Sequence, residues 1–115
     1  MSPIRRDPGA DDALFWELAE PLLASGEVEE GTIMGFPCLR TGSGGFLAMA
    51  EHRGGDLVVK LPAGRVEELI AEGAGLPFAP AGRRFREWVH VSERDEALWQ
   101  TLLDEGRAFV DGGSA

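Results

Sequence analysis

The chain has 115 residues, 43% of them hydrophobic, and carries twenty acidic against eleven basic side chains, a net charge of −9 with a pI near 4.6. That length suits one domain of about 100–150 residues, whose core is large enough to fold without disulfides or metal. The single cysteine, Cys38, excludes an intramolecular disulfide framework and a multi-cysteine zinc site. No apolar run approaches the ~20 residues of a bilayer span and nothing reads as a signal peptide, so a soluble cytoplasmic domain without membrane association is expected. Lys60 is the only lysine beside ten arginines, and Asn and Tyr are missing. That usage points to a GC-rich bacterial genome more than to a function.

Residues 1–11 are polar and Pro/Gly-containing and read as a flexible tail. Asp11 or Asp12 then caps a helix in which Leu14, Phe15, Leu18, Ala19, Leu22 and Leu23 share one face. Pro21 interrupts its hydrogen bonding, so a kink or a restart is expected, and Ser25-Gly26 ends it. Three strands follow: 28–34, 45–51 and 56–61, the last with Leu57, Val59 and Leu61 alternating against Val58 and Lys60. Short Gly-rich links make these an antiparallel meander. Pro62 opens a second helix with Val66, Leu69 and Ile70 inward, and Gly73 closes it. Residues 73–82 form a loop that Leu76 and Phe78 pin to the core. Residues 86–91 are a final strand, with Arg86, Trp88 and His90 on one side. Ser92 and Asp95 have capping-box spacing for a closing helix to about Val110 that buries Leu98, Leu102 and Phe109, with Trp99, Leu103 and Val110 beside them. Residues 111–115 read as a disordered tail.

The expected fold is therefore α+β: one domain over residues 12–110, in which helices cover an antiparallel sheet of four to five strands. Certain residues stand in a recognisable order along it. They are Met34-Gly35-Phe36-Pro37-Cys38-Leu39, Gly45-Phe46-Leu47-Ala48-Met49, Asp56 to Pro62, Arg65-Val66-Glu67-Glu68-Leu69, Pro77-Phe78, Gly82-Arg83 and Glu87-Trp88-Val89-His90-Val91. Together they resemble the N-terminal domain family of the TfoX/Sxy competence regulators, similar in fold to the MmcQ/YjbR-like proteins. The resemblance spans residues 12–110 and implies the order α-β-β-β-α-β-β-α. It also implies a regulatory or DNA-associated role, and full-length relatives carry a further C-terminal domain. It brings no catalytic residues. A lysine expected in the Gly-rich hairpin is replaced by Gly44 and Gly45, so no role of that lysine carries over.

The chemistry-bearing residues read mostly as structural. Cys38 has no neighbouring base in the sequence and reads as a buried thiol. Glu51, His52, Glu87 and His90 lack the close ligand pairs of a metal site, so neither metal nor cofactor is expected. Gly42 to Gly45 precedes a strand and 73–77 lacks a phosphate-binding pattern, so both are turns. Arg83-Arg84-Phe85-Arg86 stands apart: residues 78–91 hold three arginines against one glutamate, a local +2 in a −9 chain. Glu67, Glu68, Glu72, Asp95 and Glu96 are the expected partners of these arginines. The competing reading is an anion or ligand site of Arg83, Arg84, Arg86, Trp88 and His90.

The expected function is a non-catalytic regulatory or protein-interaction module. Its partner is another protein, or a second copy bound through an exposed sheet edge. DNA binding through Arg83–Arg86 is the first alternative, opposed by the acidic charge. Small-anion or metabolite binding is the second.

Overall fold

The computed structural model describes residues 12–33, 35–42, 45–51, 54–79 and 82–112. The expected tail at 1–11 and residues 113–115 of the expected tail at 111–115, together with Met34, His52 and Arg53, lie outside the described residues; Asp111 and Gly112 belong to the last helix instead. Helix α1 (Ala13–Ser25) is followed by β1 (Val28–Ile33), β2 (Phe36–Thr41), β3 (Phe46–Ala50) and β4 (Leu57–Lys60). Then come α2 (Ala63–Glu72), β5 (Leu76–Pro77), β6 (Trp88–Val91) and α3 (Glu96–Gly112). The fold is α+β, one domain with a fully antiparallel six-stranded sheet of order β1-β2-β3-β4-β6-β5.

β2 corrects the three-strand meander. Val28–Ile33 pairs with Phe36–Thr41 rather than with Phe46–Ala50, and β2 stands between them. Gly35, at φ 85°, takes the left-handed conformation in the tight turn that makes this hairpin. Pro37 and the run Cys38-Leu39 hide the alternation of β2, because a bulge at Leu39/Arg40 shifts its register against β3. The second added strand, β5, has only two residues on the sheet edge.

All three helices lie on one face. Phe15, Leu18, Ala19 and Leu22 of α1, Val66 and Leu69 of α2, and Trp99, Leu102 and Leu103 of α3 meet Leu39, Leu47, Ala48, Leu57, Val59, Val89 and Val91 of the sheet. Helix α1 continues through Pro21 to a Gly26 cap at φ 83°. Asp12 does not cap it through its side chain. Its carboxylate instead accepts the Trp16 indole N–H at 3.0 Å, and Asp11 lies outside the described residues. Helix α3 starts at Glu96, later than expected, because Asp95 rather than Ser92 caps it: Asp95 Oδ1 accepts the Leu98 N–H at 3.0 Å. It runs to Gly112, past Val110, whose side chain packs against the core.

One bidentate contact ties α2 to α3. Arg65 Nε donates to Glu105 Oε1 at 2.9 Å and Nη2 to Oε2 at 3.4 Å, while Nη1 reaches Glu68 at 3.1 Å. The Glu105 carboxylate raises the Arg65 pKa. No helix among the described residues is long and apolar enough to cross a membrane.

Candidate functional site

Among the described residues, no helix lies over the opposite face of the sheet. Strand alternation there produces one row, Cys38, Met49, Val58, His90 and Leu76, directly opposed across β2, β3, β4, β6 and β5. Cys38, Met49 and Val58 form a small buried cluster, flanked by Ile33, Phe78 and Trp88. Phe36, Phe46 and Phe85 remain 40%, 36% and 37% exposed, and Leu76 51%. Leu76 therefore does not pin its loop to the core. It points outward from the edge strand, and Phe78 packs on the helix-free side.

The loop between β5 and β6 folds over this face. Phe85 N–H donates to Phe78 O at 2.9 Å, Trp88 N–H to Phe85 O at 3.1 Å and Leu61 N–H to Glu87 O at 2.9 Å. Arg86 and Glu87 are thereby held in a turn, and the final strand begins only at Trp88. The Phe78 ring lies 6.0 Å from Phe85 and 6.3 Å from Trp88. Under them lies an apolar slot of about 80 Å³, lined by Ile33, Met49, Phe78, Phe85 and Trp88. Beside it, a broad open shelf is lined by Lys60, Ala63, Arg83, Arg84, Arg86 and Glu87, and shares Phe85 and Trp88 with the slot.

The three arginines divide. Arg84 does pair with an acidic helix, Nη2 donating to Glu67 Oε2 at 2.6 Å. Arg83 lies over the Phe85 ring, 5.7 Å from its centre, and Arg86 is exposed; neither has an ion pair among the described residues. Of the other expected acids, Glu68 bonds Arg65 and Asp95 caps α3. Lys60 reaches Glu87 only at 4.0 Å. Four cations (Lys60, Arg83, Arg84, Arg86) against two carboxylates (Glu67, Glu87) leave the shelf at +2.

His90 does not line the shelf with Arg83 and Trp88. Its Nε2 lies 2.7 Å from Asp56 Oδ2, and Asp56 Oδ1 accepts from Arg94 Nη1 at 2.6 Å. Arg94 also donates to the Gly54 and Ser92 carbonyls, at 2.6 and 3.0 Å. This cluster latches the turn before β4 to the loop before α3. Partial burial works against the Asp56 charge, but the bonds from Arg94 and His90 outweigh it, and the carboxyl pKa is lowered. His90 has no hydroxyl or thiol partner among the described residues. Cys38 stands three strand spacings away along the row, about 14 Å at ~4.8 Å per strand. Cys38 is 1% exposed, and burial raises its pKa, with Arg40 opposing. The pair has neither the distance nor the thiolate of a Cys–His nucleophile.

Glu51 accepts the Gly54 N–H at 2.7 Å, and Glu87 faces Lys60 rather than His90. Among the described residues no three metal-ligating side chains converge. Ile33, Met49 and Lys60 are part of the site without having been marked by sequence reasoning. The signal was present in β4, where Val58 and Lys60 alternate with Leu57 and Val59. Set against models of known protein families, curated proteins and solved structures, the chain matches none.

Proposed function

We propose that this chain is a non-catalytic protein-interaction module of the TfoX N-terminal type, bacterial and cytoplasmic, that docks a partner over the helix-free face of its sheet. The observation that carries this reading is that face itself. Three helices cover one side of the sheet, while the other exposes Phe36, Phe46 and Phe85 on a chain of net charge −9. Exposed aromatics on one face of a domain mark contact surfaces, and a charge far from zero keeps such a surface from self-aggregation. The antiparallel sheet is of the kind the family resemblance implies, but with one strand more before α2 than its α-β-β-β-α-β-β-α order. Pairing of two copies through β1 receives less support, because Glu29 and Glu30 on that edge strand would bring like charges together.

Proximity labelling from a tagged chain in its own cells tests the reading. A set of neighbours is expected that Phe36→Ser/Phe46→Ser loses with the fold intact. An unchanged neighbour set would overturn it. Binding of nucleic acid is a second reading, favoured by the guanidinium groups of Arg83 and Arg86, which have no ion pair among the described residues. It requires salt-dependent retention of duplex DNA that Arg83→Glu/Arg86→Glu abolishes.

A further inference from the structure

We infer that the slot under Phe85 and Trp88 and the cationic shelf beside it form one site for an extended acidic segment of a partner protein. One apolar side chain of that segment fills the slot, and flanking carboxylates lie on Arg83 and Arg86. The inference rests on the interaction-module reading above and names the partner's chemistry.

Three observations lead to it. First, the slot and the shelf share Phe85 and Trp88, so a ligand that enters one lies against the other. Second, size decides the kind of ligand. Pockets that enclose metabolites run to about 300–1,000 Å³, and an apolar cavity that admits benzene holds ~150 Å³. A slot of about 80 Å³ takes a single aliphatic side chain. Third, charge decides what flanks it. The shelf is +2 within a −9 chain, and Arg83 and Arg86 accept a carboxylate without giving up an ion pair. Arginine and tryptophan around an apolar anchor are the usual energetic centre of such contacts.

Two other occupants fit less well. Among the described residues duplex DNA gains two guanidinium groups without an ion pair, Arg83 and Arg86, against a net charge of −9 that opposes it. Among the described residues a second copy offers no matching segment: Phe85, the exposed hydrophobic with an acid (Glu87) two positions away, lines the site itself between Arg84 and Arg86. The large exposed hydrophobics among the described residues are Phe36, Phe46, Leu76 and Phe85, and none stands next to an acidic residue in the chain.

The test begins with selection of random displayed peptides on the intact protein. Enrichment of a single Leu, Ile, Val or Met with Asp or Glu within two positions is expected. A fluorescein-labelled peptide with one central Leu, two Asp on each side and Gly-Ser ends is then titrated by anisotropy. Arg83→Glu/Arg86→Glu is expected to weaken its binding at least about tenfold, and Ile33→Trp, which fills the slot, by a similar factor. Both variants are checked by circular dichroism to retain the fold. Selection of basic or unpatterned peptides overturns the inference. So does equal binding of a peptide with Lys for Asp or Gly for Leu, or unchanged affinity after charge reversal. Tighter binding of a labelled duplex, or a dimer in light scattering that charge reversal disperses, also overturns it. If the peptide fails while Phe36→Ser/Phe46→Ser still loses its cellular neighbours, the interaction module stands and only its acidic partner falls.

Discussion

Helix α3 crosses the sheet at Gly106, and replacing that glycine separates helix propensity from tertiary packing. A methyl group there would lie 2.8 Å from the Lys60 carbonyl oxygen, 2.8 Å from Leu47 Cδ1 and 3.0 Å from Val59 Cγ2. Propensity alone favours Ala over Gly by about 1 kcal/mol in a helix interior. Overpacking a core costs about 1–3 kcal/mol. The upper part of that range applies, because the carbonyl belongs to the strand backbone and cannot rotate aside as a side chain would. Gly106→Ala is therefore expected to lose about 1–2 kcal/mol net. With an unfolding entropy of ~2.1 cal/mol/K per residue, the Tm of a domain this size falls by about 4–8 °C. Gly64, in the first turn of α2, has nothing within 4 Å of an added methyl group. Gly64→Ala is expected to hold or raise stability, by up to about 1 kcal/mol. Thermal and urea unfolding by circular dichroism measure both. A Gly106→Ala protein as stable as Gly64→Ala would refute the close approach of α3 to β4.

Cys38 is buried with a raised pKa, so native protein at pH 8 should react with Ellman's reagent at least about 100-fold more slowly than protein in guanidinium; equal rates would contradict its burial. Asp56→Asn should destabilise by about 1–2 kcal/mol near neutral pH through loss of charge-assisted bonds to Arg94 and His90. The folded Asp56 pKa lies below its unfolded value, so that stabilisation is fully present above the ordinary carboxylate range. It is lost as pH falls through the lower, folded value. The gap between wild type and Asp56→Asn should thus close in acid, and a gap that widens there would reverse the sign. Arg84→Ala should change stability by no more than about 0.5 kcal/mol in urea titrations, because its bond to Glu67 is largely exposed.

Much of the fold was legible because its signals are local. The apolar stripes of α1, α2 and α3, the alternation of β4 and the closing glycines Gly26 and Gly73 act over a few residues, and the structure contains each of them. β2 was hidden, because Pro37 and a bulge break its alternation and only its neighbours on both sides make it a strand. Ser92 and Asp12 matched capping patterns that the chain satisfies otherwise, with Asp95 on α3 and the Trp16 indole holding Asp12. At the site, the arginine cluster was visible as a local charge excess. The sequence could not separate Arg84, bound to Glu67, from Arg83 and Arg86, nor draw His90 away to Asp56.

Length, composition and charge determined one acidic domain with a single thiol, and local apolar periodicity and glycine-rich links determined a helix-covered antiparallel sheet. Only the tertiary structure decided that the helices all lie on one side and what remains on the other. Period-two alternation places Met49, Val58 and Trp88 on a common face but does not say whether a helix covers it. That depends on where α1, α2 and α3 return to the sheet, through contacts between residues far apart in the chain. The −9 charge is a property of the whole sequence; the +2 shelf beside an apolar slot exists only because the loop after β5 folds across β4 and β6.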